Sequence, residues 1–311
     1  MITKRSIAYF SLIVLAILIG IYFNVISVKQ KLVAKVESKT QVDPTKELEL
    51  KLNKDIENAI KAGEIDSGSI YVKDLASSKD ISINIDFKYT PASLLKLPLA
   101  MSIYKLSERQ PDLLQKKLIY NEDPALATIA QSFEPDEKLK LESEYTVEEL
   151  VRRMLVYSDN ASMRLLLTQL DDESFIEVYE KQGVPLPSDK TTDNYMIARD
   201  YVSFFGSLHR ASYVSKTNSD KILDLLSQTT FEKGLALGVP PRIRIAHKFG
   251  EREVDGSSLT QLHDCGIVYA ENSPYIICVM LKGEKFAEEE NLIGKLSEQV
   301  YSYMSTNDRA Q

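Results

Sequence analysis

Between Arg242 and Lys282 the hydrophobic period drops to two, in three apolar runs at 242–249, 262–270 and 275–282. The same short period occurs near the other end, at 69–75 and 80–86, around a Ser77-Ser78 turn. The stretch between reads mainly with a helical period. An amphipathic helix stands outside each strand group: Leu48, Leu52, Ile56 and Ala59 share one face before Gly63, and Leu292, Ile293, Leu296, Val300 and Tyr303 share another. The simplest way for strands at both ends of a chain to bury their faces is to share one sheet. The predicted fold is therefore α/β of the α+β kind. One antiparallel sheet is covered by the N- and C-terminal helices, with an all-helical subdomain inserted between its strands.

Within the insertion, Thr146-Val147-Glu148-Glu149 is a capping box opening a helix with Val147, Leu150, Val151, Met154 and Leu155 on its apolar face. Further helices are predicted over 160–170, 173–182, 193–210 and 219–229, whereas 111–145 reads as irregular. Before the fold, residues 7–26 are almost uninterruptedly apolar, close to the ~20 residues that span a bilayer. The expected organisation is a cytoplasmic tail (1–6), a transmembrane signal anchor (7–26), a polar linker (27–46) and a domain over 47–311. In that domain 47–92 and 236–311 form the α/β part and 93–235 the mainly helical part. No A-x-A-like cleavage site follows the apolar run, and neither cysteine lies near it, which excludes a lipoprotein anchor. Lysines on both sides of the run leave its orientation open on charge alone. The net charge of −7 and the absence of a basic, aromatic-interleaved patch argue against a nucleic-acid partner.

The candidate chemistry starts at Tyr89-Thr90-Pro91-Ala92-Ser93-Leu94-Leu95-Lys96. Thr90 reads as an N-cap and Pro91 as the first helical residue. Ser93 then lies in the first turn, with Lys96 at i+3 on its face. A desolvated, neutral lysine can take the serine proton and make the hydroxyl a nucleophile. Alone the pattern is weak, since Ser102-Ile103-Tyr104-Lys105 repeats it inside the same helix. That copy lies in a helix interior with no terminus beside it and reads as a decoy.

Two companions change this reading. Ser158-Asp159-Asn160 stands at a junction between helices, and Lys248-Phe249-Gly250 lies on the first late strand. S-x-x-K, S-D-N and K-T-G form the set of penicillin-binding proteins and class A β-lactamases. The chain matches two of them fully and the third at two of three positions. It thus resembles the penicillin-recognising serine acyl-transfer family, class A β-lactamases above all, over roughly residues 48–305. Thr191-Thr192 with Met196-Ile197-Ala198, and Gly266-Ile267-Val268-Tyr269, add weaker matches.

The resemblance implies the roles. Ser93 is the expected nucleophile, Lys96 the acylation base and Ser158 a proton relay to the leaving nitrogen. Asn160 would orient Lys96 and a substrate amide, and Lys248 would supply positive potential. Gly250 belongs to the same strand motif, and the backbone N–H groups of Ser93 and Glu251 would form the oxyanion hole. The implied partner is a β-lactam or peptidoglycan-like substrate, with no cofactor and no metal, and the domain faces the outside of the membrane. The sequence leaves oligomeric state open.

The chain departs from the family twice. No E-x-x-L-N stretch occurs between Glu180 and Thr191, so the glutamate that activates the deacylating water is missing. Slow deacylation is the expected consequence. Phe249 replaces a Ser or Thr whose hydroxyl binds the substrate carboxylate, and either obstructs the pocket or packs against the sheet. Three functions follow: a β-lactamase-type hydrolase, a D,D-peptidase-like peptidoglycan enzyme, and a wall-facing binding protein with a degraded site. His247, His263, Arg244 and Arg252 are further cleft candidates. No G-x-S-x-G is present to support a Ser-His-Asp hydrolase. Cys265 and Cys278 lie on two arms of an apparent hairpin, where a bridge and two buried thiols are both compatible with the spacing.

Overall fold

The computed structural model describes residues 22–29, 43–77, 79–121, 131–186, 193–254, 256–271 and 273–306. Contacts divide the chain into two units, Met1–Glu47 and Leu48–Gln311. In the first, residues 22–29 are helical, and most of the predicted span at 7–26 lies outside the described residues. No helix among the described residues is long and apolar enough to cross a membrane.

The second unit has the predicted architecture. Helix α1 (Pro44–Ala62) leads into strands β1 (Ile65–Asp74) and β2 (Asp80–Ile83). The late strands are β5 (Ile245–Glu253), β6 (Thr260–Val268) and β7 (Tyr275–Gly283), followed by helix α8 (Phe286–Ser305). All five form one antiparallel sheet in the order β2-β1-β7-β6-β5. The alternation that announced the strands sorts their side chains into two cores. On β7, Ile276, Cys278 and Met280 face the helical insertion, while Tyr275, Ile277, Val279 and Leu281 face α1 and α8. Strand β7 is central and buried on both faces, which is why it reads as a continuous apolar run.

The insertion contains α2 (Lys96–Ser107), α3 (Val147–Val156), α4 (Asn160–Leu167), α5 (Asp172–Gln182), α6 (Ala198–Arg210) and α7 (Lys216–Leu226). Thr146 caps α3 by accepting from the Glu149 N–H, as its capping box predicts. Two expectations are corrected. Residues 111–145 are not wholly irregular, because β3 (Lys117–Ile119) and β4 (Glu144–Thr146) pair as a short antiparallel ribbon. Helix α6 starts at Ala198 rather than near residue 193, since Met196 instead exchanges backbone hydrogen bonds with Tyr89.

Cys265 and Cys278 stand opposite each other on β6 and β7 and are joined by a disulfide. Of the two compatible states, the structure has the bridge.

Candidate active site

The nucleophile turn is fixed from the sheet. Residues Ala92–Leu95 form a 3-10 turn, and the α-helix begins only at Lys96. Thr90 does not cap it: its hydroxyl donates to Asn194 Oδ1 at 3.3 Å. The Thr90 backbone is instead clamped by two side chains of β6. Gln261 Oε1 accepts from the Thr90 N–H at 3.0 Å, and His263 Nε2 donates to the Thr90 carbonyl at 2.9 Å. Ala92 then takes a left-handed φ of 50°, a conformation costing about 1–3 kcal/mol that surrounding structure must enforce. Tyr201 holds the far side, donating from its hydroxyl to the Leu94 carbonyl at 2.9 Å.

Strand β5 closes on this turn through Gly250. A Cβ there would lie 2.7 Å from the Pro91 carbonyl oxygen and 3.1 Å from the Leu94 nitrogen. Only a glycine lets the strand edge approach the nucleophile so closely. Gly250→Ala should therefore push β5 outward, costing about 1–3 kcal/mol of stability through overpacking. Acylation of Ser93 should slow as well, and melting temperature together with acylation rate checks both effects.

Ser93 is partly exposed, and its Oγ lies 2.9 Å from Lys96 Nζ. Lys96 is fully buried. Its amine also reaches the Ser158 carbonyl, Asn160 Oδ1 at 2.7 Å and Ser158 Oγ at 3.1 Å. Burial pulls its pKa down to about 7, against the opposing attraction of Asp159 and Glu251. Ser158 sits between α3 and α4 with a φ of 54°, which turns both its hydroxyl and its carbonyl towards the lysines. Asp159 fixes that junction by accepting from the Ala161 and Ser162 N–H groups at the start of α4.

Lys248, also without exposed surface, donates to Ser158 Oγ at 2.9 Å and to the Phe249 carbonyl at 2.8 Å. Burial, with Lys96 adding to it, holds its pKa well below the ordinary lysine value. One serine hydroxyl thus bridges two desolvated amines. The structure brings Ser93, Lys96, Ser158, Asn160 and Lys248 into a single hydrogen-bonded cluster, and Gly250 against its turn. Glu251, next on β5, accepts from the Phe133 N–H with its side chain at 3.1 Å.

The second S-x-x-K copy is inert. Ser102 Oγ donates to the Pro98 carbonyl at 3.0 Å, and Lys105 pairs with Glu108 at 2.9 Å. The cleft candidates are otherwise engaged. His247 Nδ1 meets Asp264 Oδ1 at 2.8 Å, and Leu235 N donates to the other oxygen of that carboxyl. Burial pushes His263 down to about 4, so it is a neutral donor to Thr90. Arg244 is held by Asp224 and Ser227, and Arg252 by Asp193. Gln131 is a site residue with no motif to announce it: its Nε2 donates to the Ser158 carbonyl at 3.0 Å. Gln261 and His263 left a clearer trace, as polar residues two apart inside an apolar strand.

A family model described as the β-lactamase enzyme family matches residues 51–304. The chain belongs to that family. Among solved structures, the TLA-3 extended-spectrum β-lactamase is similar with a TM-score of 0.72 at 20% identity, covering 82% of this chain and 99% of that one. A PBP-A mutant, solved as its acyl-enzyme complex with penicillin G, is similar at 0.68 with 21% identity over 83% and 96%. A β-lactamase from Sphaerobacter thermophilus gives 0.67 at 16% identity over 81% and 95%. These likenesses show the fold of the β-lactamase family. No curated protein matches the chain.

Proposed function

We propose that this chain is a serine acyl-transfer enzyme of the β-lactamase and penicillin-binding type, which forms an acyl-enzyme on Ser93 and releases it slowly. The supporting observation is the hydrogen-bond count around Lys96. The Ser158 carbonyl and Asn160 Oδ1 can only accept, so they take two N–H bonds of the amine. A neutral lysine then has its lone pair left for a hydroxyl, and Ser93 Oγ at 2.9 Å is nearer to it than Ser158 Oγ at 3.1 Å. In the proposed reaction Ser93 Oγ attacks the carbonyl carbon of a β-lactam or related amide, and its proton passes to Lys96. The C–N bond breaks as Ser158 Oγ protonates the leaving nitrogen, and either amine can return a proton to Ser158. Asn160 orients Lys96, and the N–H groups of Ser93 and Glu251 would receive the developing oxyanion, each worth about 2.7–4 kcal/mol.

In this reading the apolar stretch at 7–26 anchors the chain in the cell membrane with the enzyme domain outside. The disulfide between Cys265 and Cys278 supports an oxidising compartment. A D,D-peptidase activity on peptidoglycan needs the same serine and lysine and no loop glutamate. Turnover of D-Ala-D-Ala peptides against a chromogenic cephalosporin separates the two.

Incubation with excess penicillin should add one equivalent of its mass to the wild type and nothing to Ser93→Ala. Intact-mass spectrometry reads both. An unmodified, folded wild type, or an adduct that survives in Ser93→Ala, would overturn the reading.

A further inference from the structure

The wall beside the lysine pair is aromatic and acidic where an anionic substrate group would have to bind. Phe249 is 4% exposed, and its ring centroid lies 4.1 Å from Lys248 Nζ. Phe231 stacks on it at 4.0 Å, and Phe133 meets both rings edge-on at 5.6 and 5.1 Å. Phe286 closes the cluster at 5.8 Å from Phe133. Phe249 both packs in this cluster and covers the ammonium of Lys248. That amine has no exposed surface, and its hydrogen bonds go to protein oxygens.

The segment carrying Phe133 is pinned across the groove from the helical side to the sheet edge. Gln131 Nε2 donates to the Ser158 carbonyl at 3.0 Å, Ser132 Oγ to Glu253 at 3.2 Å and the Phe133 N–H to Glu251 at 3.1 Å. The β5 edge therefore presents two acidic side chains. Among the described residues, Arg252 and Lys233 stand near this wall and both are paired. Arg252 donates to Asp193 at 2.6 Å, while Lys233 pairs with Glu290 at 3.0 Å and lies over the Phe133 ring. An anion placed here would lose water without gaining a charged partner.

We propose that Ser93 is acylated by uncharged donors, esters and amides or lactams that carry a neutral apolar group where penicillins carry a free carboxylate. This rests on the acyl-transfer reading and names its substrate class. The bond changes are those already given: Ser93 Oγ joins the acyl carbon, the C–N or C–O bond breaks, and the leaving atom takes the proton from Ser158. Phe249 and Phe133 set the preference by filling the anion subsite and offering a ring face instead.

Penicillin G and its methyl ester share one lactam and differ in that charge, so their rates of acylating Ser93 isolate it. In the wild type the methyl ester should react about 10–150-fold faster, the range of one charged hydrogen bond. Phe249→Thr should shrink or reverse the ratio. Phe133→Ala should shrink it independently, and serves if the first variant does not fold. Equal rates, or a faster free acid, in the wild type would overturn the proposal. If neither compound labels folded wild type, the acyl-transfer reading falls with it; if both label and the acid leads, only the substrate class does.

Discussion

Replacing Lys96 by methionine should slow acylation of Ser93 by about 10²–10⁴-fold, the usual worth of a general base. The argument is local. Among the described residues, the Ser93 hydroxyl hydrogen-bonds to Lys96 and to no carboxylate or imidazole. Methionine keeps the length of the buried stem but removes the basic nitrogen. The pH dependence gives a second reading of the same group. With a folded pKa of about 7, the amine is protonated and useless as a base below that value and free above it. Wild-type acylation should fall about tenfold per pH unit below pH 7 and level off above it. The methionine variant should show no such limb. Stability follows in the opposite sense from a stabilising ion pair. The unfolded lysine keeps its proton up to about pH 10.4, so the unfolded state binds more protons between the two values. Lys96 thus contributes stability that rises with pH across that window, and because Lys248, also held low, contributes in the same sense, the slope should become shallower in the variant. A wild-type profile that stays level through pH 6, or a variant acylated at the wild-type rate, would exclude Lys96 as the base.

The parts of this site that lay open in the sequence are those whose chemistry is tied to local spacing. Ser93 and Lys96 fall one turn apart, and Ser158 and Asn160 flank a cap residue. Lys248 lies on a strand whose residue two further on had to be glycine. The sheet was equally legible, because its strands are short runs bounded by turn signals, and β7 reads as continuously apolar only because both cores bury it. The clamp on Thr90 was hidden for a physical reason. Thr90 and Pro91 carry a good local signal for a helix start, yet Asn194, Gln261 and His263 take up the Thr90 groups from distant segments. Tertiary hydrogen bonds overrode a local preference worth about 1 kcal/mol. The β3–β4 ribbon was missed because three-residue strands are too short to establish a period. Phe249 was ambiguous for another reason. Packing is what the ring does, against Phe231 and Phe133, and Phe133 arrives from a segment that no sequence pattern connects to β5.

The acyl-enzyme itself should outlast the reaction that forms it. Hydrolysis of an ester on Ser93 needs a water held and deprotonated beside the acyl carbon. The sequence between Glu180 and Thr191 offers no E-x-x-L-N to do so. Among the described residues no carboxylate is hydrogen-bonded to Ser93 or to Lys96, which leaves the site without an evident second base. Losing a placed base costs about 10²–10⁴ in rate, so deacylation should limit turnover by that margin. Mixing enzyme with excess penicillin should consume a burst of about one lactam per site, read as loss of the lactam absorbance, followed by a slow steady phase, the signature of acyl-enzyme accumulation. A chase after removing free penicillin should show the Ser93 adduct decaying with the rate constant of that slow phase. Hydroxylamine, a stronger nucleophile that does not require a held base, should shorten the decay and leave the burst amplitude unchanged. Many turnovers without a burst, and no adduct at any time, would mean that a catalytic base for deacylation is present and would reject slow release while leaving Ser93 as the nucleophile.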